Sequence, residues 1–155
     1  HRRMAFISGP PSFRSSRERR EGFEAGLAAR GLKLEADCAR EGAYTFESGI
    51  DCAKSLLALT PRPTAIFAGN DEMAAGVLQA ARQMGLRVPE DLSVVGFDDF
   101  EIARRLWPSL TTIRTPTREI GRLAVERLMG LVDDGREPKD RLPSLVVRES
   151  TGKAP

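Results

Sequence analysis

The stretch VVGFDD, residues 94–99, runs from apolar side chains straight into two adjacent carboxylates, Asp98 and Asp99. Ionised groups are costly to bury unpaired, so the pair marks the point where a buried strand leaves the core. Four chemistries suit such a pair: acid/base catalysis, binding of a hard cation, helix capping, and accepting hydrogen bonds from a bound molecule. Sequence-adjacent aspartates leave a turn in different directions, which disfavours two carboxyls facing each other across a glycosidic bond. A Mg²⁺ phosphotransfer site would want further carboxylates on the first strand, and MAFISG at 4–9 has none. The string DDFE at 98–101 also fits a capping box, with Asp98 at the cap and Glu101 three residues on. One aspartate then serves the turn and the other is free for a ligand.

The remaining chemistry is narrow. The only histidine is His1, which removes Ser-His-Asp catalysis and histidine-based zinc sites. No nucleophile stands beside a base. No GxGxxG follows the first apolar run and no GxxxxGK[ST] occurs, so nothing points to a dinucleotide or P-loop nucleotide cofactor. Cys38 and Cys52 lack CxxC spacing and read as reduced thiols of a cytosolic protein. The expectation is a protein that is not an enzyme and carries neither cofactor nor metal.

The elements that must position Asp98 and Asp99 follow from periodicity. Apolar runs at 4–8 (MAFIS), 32–38 (LKLEADC), 64–69 (TAIFAG) and 93–97 (SVVGF) predict strands. The intervals predict helices. Phe23 and Leu27 stand four apart before Gly31, and Ile50, Ala53, Leu56 and Leu57 form a stripe ended by Pro61 and Pro63. Met73, Val77, Ala81 and Met84 form another stripe, with Asp71 as N-cap and Gly85 as stop. Further on come a short helix (FEIARRL), a strand at 110–115 (LTTIRT), a long amphipathic helix from 117 and a last strand at 144–150. Alternation of this kind predicts an α/β fold: a doubly wound parallel sheet with helices on both faces. The 155 residues suit one ordinary domain, no apolar stretch is long enough to span a membrane, and the net charge of +2 does not by itself imply nucleic-acid binding.

In such sheets ligands bind at the carboxyl ends of the strands. That rule selects the loops at 9–16, 40–48, 69–71 and 97–101, which hold Phe13, Arg14, Ser15, Tyr44, Phe46, Asn70, Asp71, Asp98 and Asp99, with Arg19 on the helix just after the first loop. Arg19 lies on the stripe of Phe23 and Leu27, at the helix end nearest the crevice, and so points inward.

The segments HRRMAFISGPP, RERREGFEAGLAARGL, PTAIFAGNDEMAAGVLQAARQMGLRVPEDLSVVGFDD, PSLTTIRTPTREIGRLAVERLM and LVVRESTG resemble, in order and spacing, the effector-binding core of the lactose-repressor/galactose-repressor family. The likeness runs along essentially the whole chain. It implies a periplasmic-binding-protein-like fold of two subdomains with an effector between them, preceded by a DNA-binding helix-turn-helix. On this reading residues 1–107 and 140–155 are the C-terminal subdomain. Residues 108–139 are a strand and helix of the N-terminal subdomain, whose remainder, with the helix-turn-helix, lies outside the chain. The 110–115 strand and the helix after it would then lack native partners, and should be disordered, re-dock or swap with a second copy.

The resemblance assigns effector contacts to Phe13, Ser15, Arg19, Tyr44, Asn70 and Asp98. Phe13 stands where a purine-responsive member has an arginine, which argues against a purine. Arginine, asparagine and aspartate beside an aromatic suit a sugar or sugar derivative, because planar polar groups bracket neighbouring hydroxyls while a ring covers the apolar face. The family likeness further implies a cytoplasmic homodimer that meets operator DNA only through the missing N-terminal domain, with no membrane partner. Exposed apolar residues of the 72–84 helix, Ile102, Leu106 and Trp107 are its expected contacts. The alternative is an extracytoplasmic sugar-binding protein of a transport system.

Overall fold

The computed structural model describes residues 1–131 and 142–155. Six strands make one sheet: β1 (Met4–Ser8), β2 (Ala39–Glu41), β3 (Ala65–Ala68), β4 (Ser93–Asp98), β5 (Thr111–Arg114) and β6 (Ser144–Val146). Their order is β2-β1-β3-β4-β5-β6, parallel except for β6, which runs antiparallel to β5. The helices are α1 (Arg14–Ala28), α2 (Phe46–Leu57), α3 (Asp71–Gln83), α4 (Glu101–Arg105) and α5 (Thr117–Leu128). The chain goes outward from β1 to β2, then returns to β3 on the other side. The strand order therefore reverses between β1 and β3, and that reversal opens a crevice at their carboxyl ends.

The period-2 alternation of the strands separates two faces. Ala5, Ile7, Ile66, Ala68 and Val94 join Leu56, Met73, Val77 and Leu92 in the main core, under α2 and α3. Leu56 is fully enclosed, and a side chain of this size contributes about 1.5–3 kcal/mol when buried. On the opposite face Phe6 and Phe67 pack with Phe23 of α1, at centroid separations of 5.3–5.7 Å. This contact fixes α1 across β1 and β3 and thereby delivers Arg19, one helical turn earlier, to the crevice.

Helix ends obey local chemistry. Gly31 has a φ of 68°, and the Leu32 N–H returns to the Leu27 carbonyl at 3.0 Å, closing α1. Thr45 caps α2 by accepting from the Ser48 N–H at 3.2 Å. α2 and α3 approach so closely that a Cβ at Gly76 would strike the Phe46 carbonyl and lie 2.8 Å from the Ile50 nitrogen.

Several expectations shift. The second strand is not 32–38 but Ala39–Glu41, after a helical turn at Ala36–Cys38 that buries Cys38. Leu34 packs on the core from the preceding loop, so the apolar letters mark an anchor and not an edge strand. The cap of α3 is Asn70, whose Oδ1 accepts from the Met73 N–H at 2.9 Å, and Asp71 is buried instead. The apolar residues of α3 are covered by the sheet and α2; among its stripe only Met84, just past the helix, is strongly exposed.

The expected boundary at 107/108 falls inside the sheet, because β5 pairs in register with β4 (Val95 with Thr111, Phe97 with Ile113) and with β6. Leu110 is enclosed in the core, and the buried Thr111 and Thr112 are held by hydrogen bonds to Ser150, Thr151 and Asp71. α5, by contrast, buries none of its residues, and Val125, Leu128 and Met129 are exposed. β6 stops at Val146, short of the 144–150 expected. Of the expected polar loop and helix end, residues 132–141 lie outside the described residues.

Candidate functional site

Arg19 leaves the second turn of α1 and enters the crevice with 19% of its side chain exposed. Its guanidinium lies over the Phe97 ring, 3.8 Å from the centroid, and 5.9 Å from the Tyr44 ring. A cation against an aromatic face is held electrostatically without losing its hydrogen-bonding edge. Nη1 donates to the Gly69 carbonyl, which closes β3. Nη2 stands 3.6 Å from Asp98 Oδ1, an ion pair too long for a hydrogen bond.

Asp98 therefore receives no hydrogen bond from any described residue, although its side chain is only 21% exposed. Burial raises its carboxyl above the ordinary range, against the opposing pull of Arg19. It is a charged acceptor set in a crevice wall, with its lone pairs unused among the described residues.

Asp99 is its opposite. Its side chain is 2% exposed and accepts from Arg148 at 2.5 Å and Arg114 at 2.6 Å, with Arg104 at 3.6 Å. Burial pushes its carboxyl up, but the hydrogen bonds and charges of Arg148 and Arg114 outweigh this and hold it below the ordinary range. Neither aspartate caps α4: the N-cap position is Phe100, with no side-chain cap bond, so the capping box does not form. The Phe100 N–H is taken instead by Asp71 Oδ2 at 2.8 Å.

Tyr44 links the remaining residues. Its hydroxyl shares a 2.6 Å hydrogen bond with Ser16, its ring meets Phe13 edge-on at 5.9 Å, and its carbonyl accepts from Asn70 Nδ2 at 3.0 Å. Phe13, Arg19, Tyr44, Asn70 and Asp98 thus form one connected group. Asn70 is 7% exposed and spends its amide oxygen on the α3 cap. Ser15 is exposed and touches none of them, but lines with Arg19 a cleft of about 630 Å³ floored by Phe23, Phe67, Phe97 and Ile113. Asp98 borders a second hollow of about 480 Å³ with Asp99, Arg104 and Arg114.

Among the described residues, those other than glycine with positive φ are Tyr44 (63°), Asp98 (113°) and Asp99 (56°), and all lie in these loops. Side-chain-bearing residues adopt such angles only where surrounding contacts enforce them, and they concentrate at functional sites.

Sequence reading overlooked Phe97 and Ser16. Phe97 sits inside the quoted VVGFDD, and strand alternation places it on the face opposite Gly96, the face that carries Arg19. Ser16 had no local signal to separate it from Ser15. Among the described residues one trio of possible metal donors occurs, Glu35, Asp37 and Cys38, before β2 and at the far end of the sheet from the crevice. Both of its carboxylates pair with Arg3.

A reversal of strand order, a crevice at the strand ends and a charged acceptor facing a stacked arginine are the features expected of an α/β domain that takes a small molecule. Residues 1–151 match the family described as periplasmic binding protein-like domain. The ribose operon repressor of Escherichia coli K12 is 38% identical over 154 residues, which are 99% of this chain and 47% of that protein. The lac repressor dimer bound to operator and an anti-inducer superposes with a TM-score of 0.87 at 35% identity, over 97% of this chain and 53% of that one. The transcriptional regulator CelR in complex with cellobiose gives 0.81 at 36%, over 97% and 47%. The chain belongs to the periplasmic-binding-protein-like domain family and is an effector-binding core of the lactose-repressor/galactose-repressor type. It spans about half the length of the repressors it matches.

Proposed function

We propose that the chain is the sensing part of a DNA-binding transcription regulator and that its crevice takes a sugar or sugar derivative. The Asp98 carboxylate, which no described residue hydrogen-bonds and which stands 3.6 Å from the Arg19 guanidinium, carries this reading. A polyol offers neighbouring hydroxyls that donate to Asp98 and accept from Arg19, while Phe13 and Tyr44 supply apolar cover. Ser15 and Asn70 complete the proposed contact set. The reading needs no cofactor and no catalysis, and relatives named for ribose and cellobiose favour it. Those relatives are regulators, which favours sensing over transport.

α5 is proposed to belong to a second subdomain, since its apolar side chains find no burial on this sheet. An effector gripped between two subdomains stabilises one arrangement of them, and linkage passes that preference to a DNA-binding part outside these residues. A cytoplasmic location is proposed with operator binding, since the operator is there. No helix among the described residues is long and apolar enough to cross a membrane. A homodimer is proposed through Trp107, which is 88% exposed beside a hollow lined by Leu78, Leu86, Val88 and Leu106.

Titration calorimetry on the complete protein with D-ribose, cellobiose, nucleobases and amino acids tests the effector class. Heat from a sugar that disappears in Arg19→Ala is the expected result. Heat from nucleobases or amino acids alone overturns the sugar reading.

A further inference from the structure

Asp71 opens α3, yet it is fully buried. Both of its oxygens are in use. Oδ1 accepts from the Thr112 hydroxyl of β5 at 2.5 Å, and Oδ2 accepts from the Phe100 N–H at 2.8 Å. The carboxylate is also boxed in sterically, since a Cβ at Gly96 would run into Oδ1 and lie 2.8 Å from Leu110. One side chain therefore joins the start of α3, the fifth strand and the turn that follows β4.

That turn is the one with unusual backbone. Asp98 and Asp99 hold φ values of 113° and 56°, which L side chains rarely adopt, so the turn needs restraint from both sides. Asp99 is restrained by Arg148 and Arg114. On the downstream side, the Phe100 amide is restrained by Asp71, with no side-chain cap from α4 itself. Burial moreover lifts the Asp71 carboxyl to about 6 against the help of Thr112 and Phe100, so the group sits here at a cost that simple packing would not incur.

We propose that Asp71 is a positioning residue: its carboxylate clamps the Asp98–Asp99–Phe100 turn against α3 and β5 and so aims Asp98 into the crevice. Asp71 does not face the ligand; it acts through the Phe100 amide. The inference rests on the reading of Asp98 as the effector's acceptor, and the experiment separates the two.

In the complete protein, Asp71→Ala removes the clamp. Asp71→Asn preserves it, because the amide oxygen still accepts from Phe100 and the amide nitrogen donates to the Thr112 hydroxyl. The alanine variant is expected to speed hydrogen exchange of the Phe100 amide at least tenfold and to weaken binding of whichever of D-ribose and cellobiose binds the wild type at least tenfold. The asparagine variant is expected to stay within about threefold on both readouts. Equal loss in both variants, or an unchanged Phe100 amide in Asp71→Ala, overturns the clamp. If the alanine variant does not fold, Thr112→Val, which strips one of the carboxylate's two partners, must accelerate Phe100 exchange severalfold, and unchanged exchange overturns the proposal. An Asp98→Asn variant that binds as the wild type does would refute the acceptor reading alone, while the amide exchange still decides the clamp.

Discussion

Replacing the two adjacent aspartates one at a time should give opposite phenotypes. Asp99→Asn strips the anion from Arg148, whose side chain is only 13% exposed. Breaking a buried pair by removing one partner costs about 3–5 kcal/mol. Arg114 and Arg104 are half-exposed or more, so each loses less than about 1 kcal/mol. Arg148 keeps its 2.7 Å bond to the Leu110 carbonyl, which favours the lower end, about 3 kcal/mol. For a chain of this length, that corresponds to a fall in Tm of about 6–12 °C. Asp98→Asn removes a carboxylate that burial already disfavours and that no described residue hydrogen-bonds. Its stability should change by less than about 1 kcal/mol, while the loss of a charged acceptor should weaken effector binding about tenfold or more.

The pH dependence follows from the same asymmetry. The Asp99 carboxyl is lowered in the fold, so the unfolded chain binds its proton more readily. Its stabilisation is complete above the unfolded value of 3.8 and is lost as pH falls through the folded value. Asp98 is raised, and its contribution has the opposite sign. Thermal unfolding of wild type and both variants, from neutral pH down to the onset of acid denaturation, measures the differences. An Asp99→Asn variant that melts within 2 °C of wild type, or an Asp98→Asn variant that falls further, would show that the assignments are reversed.

Two further expectations concern packing. Gly76→Ala should destabilise the fold by about 1–3 kcal/mol in urea titration, since the added methyl meets rigid helix backbone at Phe46 and Ile50. Trp107→Glu should shift the sedimentation of the complete protein towards monomer, because the side chain is 88% exposed on the single chain and is free to meet a second copy.

β1, β3 and β4 were legible as apolar runs because the sheet is covered on both faces where they lie, and such strands carry the signal in every residue. α1 was legible too: the Phe23–Leu27 stripe and Gly31 predict its face and its end, and the same stripe points Arg19 at the crevice. β2 was not, because a three-residue edge strand of Ala, Arg and Glu has no apolar alternation to show. Adjacent residues of one type were the harder problem. Asn70 and Asp71 are equally good caps by composition, and Asp98 and Asp99 are equally good ligands. Their division depends on Thr112, 41 residues from Asp71, and on Arg148, 49 residues from Asp99. The sequence determined which residues reach the strand ends, since periodicity is local. Only the tertiary structure decided which of each pair is buried and bonded and which stays open to a ligand, because those partners meet only when β4, β5 and the segment after β6 come together.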